Sequence, residues 1–200
     1  NGGSTLAADT SISSIIVNTI LAGAAGTAAG YVWTMSRDLT VLPEKVLTGM
    51  IGGLVGVTAG CAIMNTDGAL AIGVIGAIGA NAANEFVERQ LRIDDAVGAV
   101  AVHGYAGFAG LIISGFVLWG HPSSVYEGYA AINPLGQFIG AIIMFGVLGF
   151  LPGWVVAKVL HGMDLLRVPK EIELMGLDFA SNQDEQAAAD DVREAEKALV

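Results

Sequence analysis

Five long apolar segments, separated by short polar stretches, constrain the fold of this chain more than any other feature. Their approximate bounds are Thr10–Met35, Val46–Met64, Ala69–Val87, Ala96–Trp119 and Ile132–Leu160. A transmembrane helix needs about 20 predominantly apolar residues, and each segment comes close to that length or exceeds it. The pattern therefore predicts an all-α polytopic membrane protein with five transmembrane helices.

The composition supports the same class of fold. Charged residues make up only 14% of the 200 positions, and 28 positions are glycine. Soluble domains average about 25% charged residues and about 7% glycine. Gly52, Gly56 and Gly60 recur at four-residue steps, a spacing that favours close contact between transmembrane helices. The nine basic residues form no concentrated patch, which argues against a nucleic-acid partner.

The sequence lacks the signatures of the common catalytic and cofactor sites. Cys61 is the single cysteine and lies in an apolar segment, so we expect no intramolecular disulfide and no cysteine-based metal site. No phosphate-binding glycine loop, HExxH zinc motif or nucleophile elbow occurs. We predict no cofactor, no metal and no enzymatic activity, because an enzyme would need a second titratable group at the depth of His103.

The basic residues predict how the chain is oriented. They lie between the first and second segments, between the third and fourth, and at or after the end of the fifth: Arg37, Lys45, Arg89, Arg92, Lys158, Arg167 and Lys170. The other two connections contain no Lys or Arg, so the positive-inside rule places the N-terminus outside and the C-terminus in the cytoplasm. We therefore expect an outer start at 1–9, a transmembrane domain at 10–160 and an acidic cytoplasmic tail at 161–200, in the plasma or inner membrane.

One ionisable residue, His103, lies within the fourth apolar segment. Such a residue usually faces a bundle interior or an aqueous path, because its exposure to hydrocarbon is costly. Gly104, Gly107 and Gly110 follow it and leave room beside the imidazole. Two interpretations stay open: a residue that lines a conduction path, or a hydrogen-bonded histidine that joins two helices.

The other polar residues near or within the segments favour structural roles. Asp94 and Asp95 precede the fourth segment, where one of them is expected to cap its helix, with a part in transport as the alternative. Asn18 and Thr58 lie within the first and second segments. Buried polar side chains of this kind commonly form hydrogen bonds between transmembrane helices.

Several short motifs follow one another across nearly the whole chain. They are Asn1-Gly2-Gly3-Ser4, Asn18-Thr19, Leu54-Val55-Gly56-Val57-Thr58-Ala59-Gly60-Cys61, Ile93-Asp94-Asp95, Val102-His103-Gly104 with Gly107 and Gly110, Gln137, Leu166-Arg167-Val168-Pro169 and Gly176-Leu177-Asp178. Taken in this order, they resemble the ammonium transporter (Amt/Rh) family, and specifically its last five transmembrane helices, seven to eleven.

This resemblance implies a fold, a substrate and an assembly. The family has eleven transmembrane helices, with two inverted five-helix repeats followed by a long tilted helix, and it forms trimers. The chain would then be a partial bundle of a homotrimer that carries ammonium or ammonia across a lipid bilayer. The first pore histidine, the aromatic rings of the outer site and the phenylalanine gate would precede Asn1, so we expect a fragment that does not form a complete pore alone.

The resemblance also implies roles for individual residues. His103 would be the second of two histidines that line a narrow hydrophobic pore, and Ser4 would belong to the outer site that recruits ammonium. We place Thr58 in the same pore. A neutral imidazole offers both a hydrogen-bond donor and an acceptor, which suits ammonia in a path that excludes hydrated potassium.

The tail departs from the pattern of the family. After Gly176-Leu177-Asp178 the family often continues to a His-Gly-Glu motif, which this chain lacks. Binding of a PII-type regulator at the cytoplasmic side is therefore an open expectation. Ammonium transport is the predicted function, and the alternative is an ammonium sensor that signals through the acidic segment Asp184–Val200.

Overall fold

The computed structural model describes residues 1–5, 8–37, 39–123 and 130–175, which fold as helices without a β-strand. The α-helices are α1 Ser11–Arg37, α2 Pro43–Val57, α3 Thr66–Arg89, α4 Gly107–Val117, α5 Pro134–Ile142, α6 Leu151–Gly162 and α7 Lys170–Met175. One π-helix, Val100–Ala106, leads into α4, and a second, Ile143–Phe150, follows α5. The predicted all-α class is confirmed. The chain divides into two compact units, Asn1–Gly149 and Phe150–Val200.

Four helices in the described part of the chain are long and apolar enough to cross a membrane: Ser11–Arg37, Thr66–Arg89, Val100–Val117 and Pro134–Gly162. The second predicted segment, Val46–Met64, differs from the expectation. Its helix α2 has 15 residues and ends at Val57. Hydrogen bonds between residues three apart then fold the chain into turns, as where the Gly60 N–H donates to the Val57 carbonyl at 3.1 Å. The last part of this segment is therefore a turn structure rather than a helix.

In the first unit, α2 packs against α1, α3 and α4 through glycines. A Cβ atom on Gly76 would lie 2.5 Å from the carbonyl oxygen of Gly52, and one on Gly110 would lie 2.4 Å from that of Gly56. Both distances are shorter than any real Cβ contact, so only glycine allows these helices to approach so closely. The close contact predicted for the Gly52 and Gly56 face is present.

Side-chain caps define where several helices of the first unit begin. Asn65 accepts a hydrogen bond from the Gly68 N–H at 2.9 Å at the start of α3, and Asn133 accepts one from Gly136 at the start of α5. Before α1, the Asp9 carboxylate accepts bonds from the Ser11 hydroxyl and the Ser11 N–H. These two bonds hold the pKa of Asp9 below its ordinary value, because they favour the ionised carboxylate.

A polar layer joins α1, α2 and α3 at the end of the bundle where the basic residues lie. Glu85 accepts a hydrogen bond from the Trp33 indole at 3.3 Å and pairs with Arg37 at 3.1 Å. The Arg37 guanidinium lies 4.3 Å from the centre of the Trp33 ring. Lys45 donates to the Asn84 side chain beside it. Hydrogen bonds and an ion pair thus join the three helices at the predicted cytoplasmic end.

The second unit contains α6 and α7 in its described part. The Lys158 amine lies 5.6 Å from the centre of the Trp154 ring, and Arg167 pairs with Glu173. The Gly176-Leu177-Asp178 motif and the acidic segment Asp184–Val200 lie outside the described residues.

Candidate functional site

An open cavity of about 640 Å³ in the first unit contains the sequence-predicted histidine. Its walls come from α2 and the turn after it, from the first π-helix with α4, and from the second π-helix. The lining residues are Val55, Thr58, Ala59, His103, Gly107, Leu111, Met144, Phe145 and Gly149. Most of this surface is apolar, so the imidazole and the threonine hydroxyl are the prominent polar groups. His103 and Thr58, which the sequence places in separate segments, line one cavity.

His103 lies in the π-helix Val100–Ala106 rather than in a regular α-helix. π-helical turns are rare and occur often at functional sites, because the wider turn changes the direction in which a side chain projects. The imidazole is exposed to the cavity, whereas the neighbouring Ala101 and Val102 are buried in the bundle. The π-helix therefore has one face that lines the cavity, which carries His103, and another that is buried against neighbouring helices, which carries Ala101 and Val102.

Asp95 sets the start of this π-helix. The residue is 6% exposed, and its carboxylate accepts hydrogen bonds from the N–H groups of Val100 and Ala101, both at 3.1 Å. Gly98, with a φ of +66°, makes the turn that brings these N–H groups to the carboxylate. A negative charge at the N-terminal end of a helix is favourable, since it meets unpaired N–H groups. Asp94 is exposed, so Asp95 is the member of the pair that caps.

Thr58 lies at the end of α2, and its hydroxyl donates a hydrogen bond to the Leu54 carbonyl at 2.9 Å. This bond occupies the hydroxyl proton and leaves the oxygen lone pairs as acceptors. A hydroxyl held in this way is suited to accept a hydrogen bond from a small ligand that carries N–H or O–H donors. The part of the cavity wall that α2 and the following turn supply therefore has a fixed acceptor.

Phe145 lines the cavity but was not among the residues predicted from the sequence. Phe145 packs edge-on against Phe108, with ring centres 5.8 Å apart. A Cβ on Gly107 would lie 3.2 Å from the Phe145 ring, so the glycine makes room for the aromatic side chain. Phe138 also meets Phe108 edge-on. The seven-residue spacing of Phe138 and Phe145 indicates one aromatic helix face, but it does not indicate that this face meets the cavity.

Two other predicted residues lie away from this cavity. Ser4 is in a short 3₁₀-helix, Gly3–Thr5, and donates to the Asn1 carbonyl at 3.1 Å. Asn18 is buried, and its amide donates to the carbonyls of Cys61 and Met64, each at 3.0 Å. Neither residue lines the cavity that contains His103. Within the described ranges, no group of three or more His, Cys, Asp or Glu residues could hold a metal ion.

The comparisons with known proteins give the family. A model described as the Ammonium Transporter Family matches residues 1–187. The chain is 34% identical to ammonium transporter Amt2 of Archaeoglobus fulgidus over 199 residues, which covers 91% of this chain and 41% of that protein. It is 31% identical to the ammonium transporter of Corynebacterium glutamicum, with the same two coverages. It thus spans well under half the length of both relatives.

Solved structures agree with this result. A protein described as a Sensor Amt Protein matches with a TM-score of 0.79 and 30% identity, over 90% of this chain and 44% of that one. Mep2 of Saccharomyces cerevisiae matches with a TM-score of 0.71 over 86% of this chain and 41% of its own, and at 22% identity it supports the fold alone. The partial bundle predicted from the sequence has the architecture of these proteins. The chain belongs to the ammonium transporter family.

Proposed function

We propose that this chain supplies the histidine-bearing wall of a pore that conducts ammonium or ammonia across a membrane. The observation that carries the proposal is the cavity in which His103 and Thr58 lie among apolar residues. A pore with this lining favours a small species that can pass as neutral ammonia, since a potassium ion cannot lose its charge. The family is one of transporters rather than enzymes, which supports the same function.

The two polar groups have complementary chemistry toward this substrate. The Thr58 oxygen accepts a hydrogen bond from ammonium or ammonia, because its own proton is held by Leu54. The imidazole of His103 can accept a hydrogen bond at one nitrogen and donate one at the other when it is neutral. Phe145 and Leu111 supply apolar surface that disfavours a hydrated cation. Ser4 is proposed as part of the outer recruitment site.

Orientation and assembly are part of the proposal. The N-terminus lies outside and the C-terminus in the cytoplasm, as the one-sided basic connections indicate. The protein works as a homotrimer in a plasma or inner membrane, as the resemblance to the family implies. The measured mass of the detergent-solubilised complex, corrected for bound detergent, tests this assembly: three chains are expected, and a monomer contradicts it.

Flux through reconstituted protein tests the main proposal. The complete polypeptide, as its gene encodes it, is placed in liposomes without any partner, and uptake is followed with methylammonium and with potassium. Methylammonium uptake above that of empty liposomes, with potassium uptake at the background level, supports conduction. Equal rates for protein-containing and empty liposomes overturn it.

A sensor is the second candidate function, and one comparison favours it. The structure described as a Sensor Amt Protein matches this chain at 30% identity. In this alternative, the same pore domain reports ammonium through the acidic segment Asp184–Val200 to a signalling partner, and a PII-type regulator is a further candidate at the cytoplasmic side. Deletion of residues 184–200 separates the functions: a transporter keeps its flux, whereas a sensor loses ammonium-dependent binding of its partner.

A further inference from the structure

The turn after α2 supplies part of the cavity wall but lacks the regular hydrogen bonds of a helix. It runs from Thr58 to Met64, and its first two residues, Thr58 and Ala59, line the cavity beside His103. Its backbone hydrogen bonds mostly join residues three apart rather than four, as between the Gly60 N–H and the Val57 carbonyl at 3.1 Å. Carbonyl groups at the end of a helix need partners from elsewhere when they are buried. The position of Thr58 therefore depends on what holds this turn.

Asn18 holds the turn from the side of α1. Its side-chain nitrogen lies 3.0 Å from the carbonyl oxygens of both Cys61 and Met64. A primary amide has two N–H donors, so one side chain satisfies both carbonyls. Asn18 is only 4% exposed, which excludes water as an easy substitute for either bond.

Helix α4 and Leu118, the residue after it, pack against the same turn. A Cβ on Gly60 would lie 2.9 Å from Leu118 and 3.2 Å from the Ser114 hydroxyl oxygen. Ser114 and Leu118 are each 2% exposed, so this contact is fully packed. The turn thus has little freedom toward α4, and the hydrogen bonds of Asn18 hold it against α1.

We infer that Asn18 is a positioning residue for the pore, because it fixes the turn that carries Thr58 and Ala59 into the wall of the His103 cavity. This inference rests on the proposed function for its consequence in transport. Its structural part concerns the accessibility of Thr58 and can be measured without transport.

The first measurement is the rate at which a small thiol reagent labels a Thr58→Cys variant in which Cys61→Ser removes the native thiol. Asn18→Leu and Asn18→Asp are added separately, the second because it keeps the size of Asn18 while removing its N–H donors when ionised. Asn81→Leu is the matched control. Asn81 is also buried and donates to an α2 carbonyl, that of Lys45 at 3.1 Å, but at the far end of the helix.

We expect both Asn18 variants to change the labelling rate about tenfold. The loss of a buried hydrogen bond shifts the equilibrium between positions of the turn by about that factor. Asn81→Leu is expected to leave the labelling rate unchanged, although it lowers the unfolding temperature of the protein as the Asn18 variants do. An unchanged rate in both Asn18 variants overturns the inference, as does an equal change in Asn81→Leu, since Asn18 would then act on stability alone.

The second measurement is methylammonium uptake by the complete polypeptide with native Thr58 and Cys61. Asn18→Leu is expected to raise the half-saturation concentration about tenfold, whereas Asn81→Leu lowers only the maximal rate in proportion to the folded protein. The two failures are distinguishable. Absence of uptake by the unsubstituted protein contradicts the proposed function. The labelling rates then show by themselves whether Asn18 positions the turn. Uptake with the same half-saturation in all variants contradicts the inference.

Discussion

The carboxylate of Asp95 lies 3.1 Å from the backbone nitrogen of Val100, and this contact starts the π-helix that contains His103. The same carboxylate also meets the N–H of Ala101. Because Asp95 is buried, its carboxyl oxygens are satisfied by N–H groups rather than by water. Asp95 therefore fixes the first turn of the π-helix at Val100, three residues before His103.

Removing this cap is expected to weaken the fold. Asp95→Ala leaves the N–H groups of Val100 and Ala101 without their partner, at a cost of about 1–2 kcal/mol in the free energy of unfolding. Asp94→Ala is the control, since Asp94 is exposed beside it. Thermal unfolding in detergent measures both variants. A midpoint for Asp95→Ala equal to that of Asp94→Ala would show that the cap contributes nothing.

The glycine contact between α4 and α2 gives a second prediction. Gly110→Ala places a methyl group 2.4 Å from the Gly56 carbonyl oxygen and forces the helices apart, at an expected cost of about 1–3 kcal/mol. Gly79→Ala is the matched control, because a Cβ there has no neighbour within 4 Å. Alanine also favours a helix over glycine, so Gly79→Ala is expected to keep or raise the unfolding temperature. A Gly110→Ala protein as stable as Gly79→Ala would contradict the close contact.

The sequence predicted the parts of this fold that depend on length and periodicity. Apolar runs near 20 residues indicated the membrane helices, and Gly52 and Gly56 indicated a close helix contact. Asp95 was expected as one of two possible caps, and only the geometry of the Gly98 turn selects it over Asp94.

Other features depend on contacts between distant residues and could not be predicted. The end of α2 at Val57 follows from hydrogen bonds in the turn and from Asn18 on another helix. Phe145 is one apolar residue among many in its segment, and only packing against Gly107 and Phe108 places it at the cavity. The π-helix around His103 has no sequence period that distinguishes it from the α-helix that follows.

The hydroxyl of Thr58 gives a prediction about the proposed pore. Thr58→Val keeps the shape of the side chain but removes the acceptor oxygen, so the half-saturation concentration for methylammonium is expected to rise about tenfold. Thr27→Val is the control, because the Thr27 hydroxyl likewise donates within its own helix, to Gly23 at 2.9 Å, and does not line the cavity. The same half-saturation value in both variants would show that the Thr58 hydroxyl does not contribute to substrate binding.

The proposed orientation can be tested with single cysteines in a Cys61→Ser background. Asp67→Cys lies in the first turn of α3, next to the connection without basic residues, and Gln90→Cys lies in a connection that contains them. A membrane-impermeant thiol reagent is expected to label Asp67→Cys in intact cells and Gln90→Cys only after permeabilisation. The reverse pattern would place the N-terminus in the cytoplasm.

The most direct test of the histidine-lined pore is uptake by His103→Ala in liposomes, measured with methylammonium and potassium as competing ions. His161→Ala is the control, since His161 is an exposed residue near the end of α6. If His103 lines the conduction path, its loss lowers methylammonium uptake at least about tenfold or admits potassium, while His161→Ala behaves as the unsubstituted protein. Unchanged rate and unchanged selectivity in His103→Ala would contradict the role of His103 in conduction.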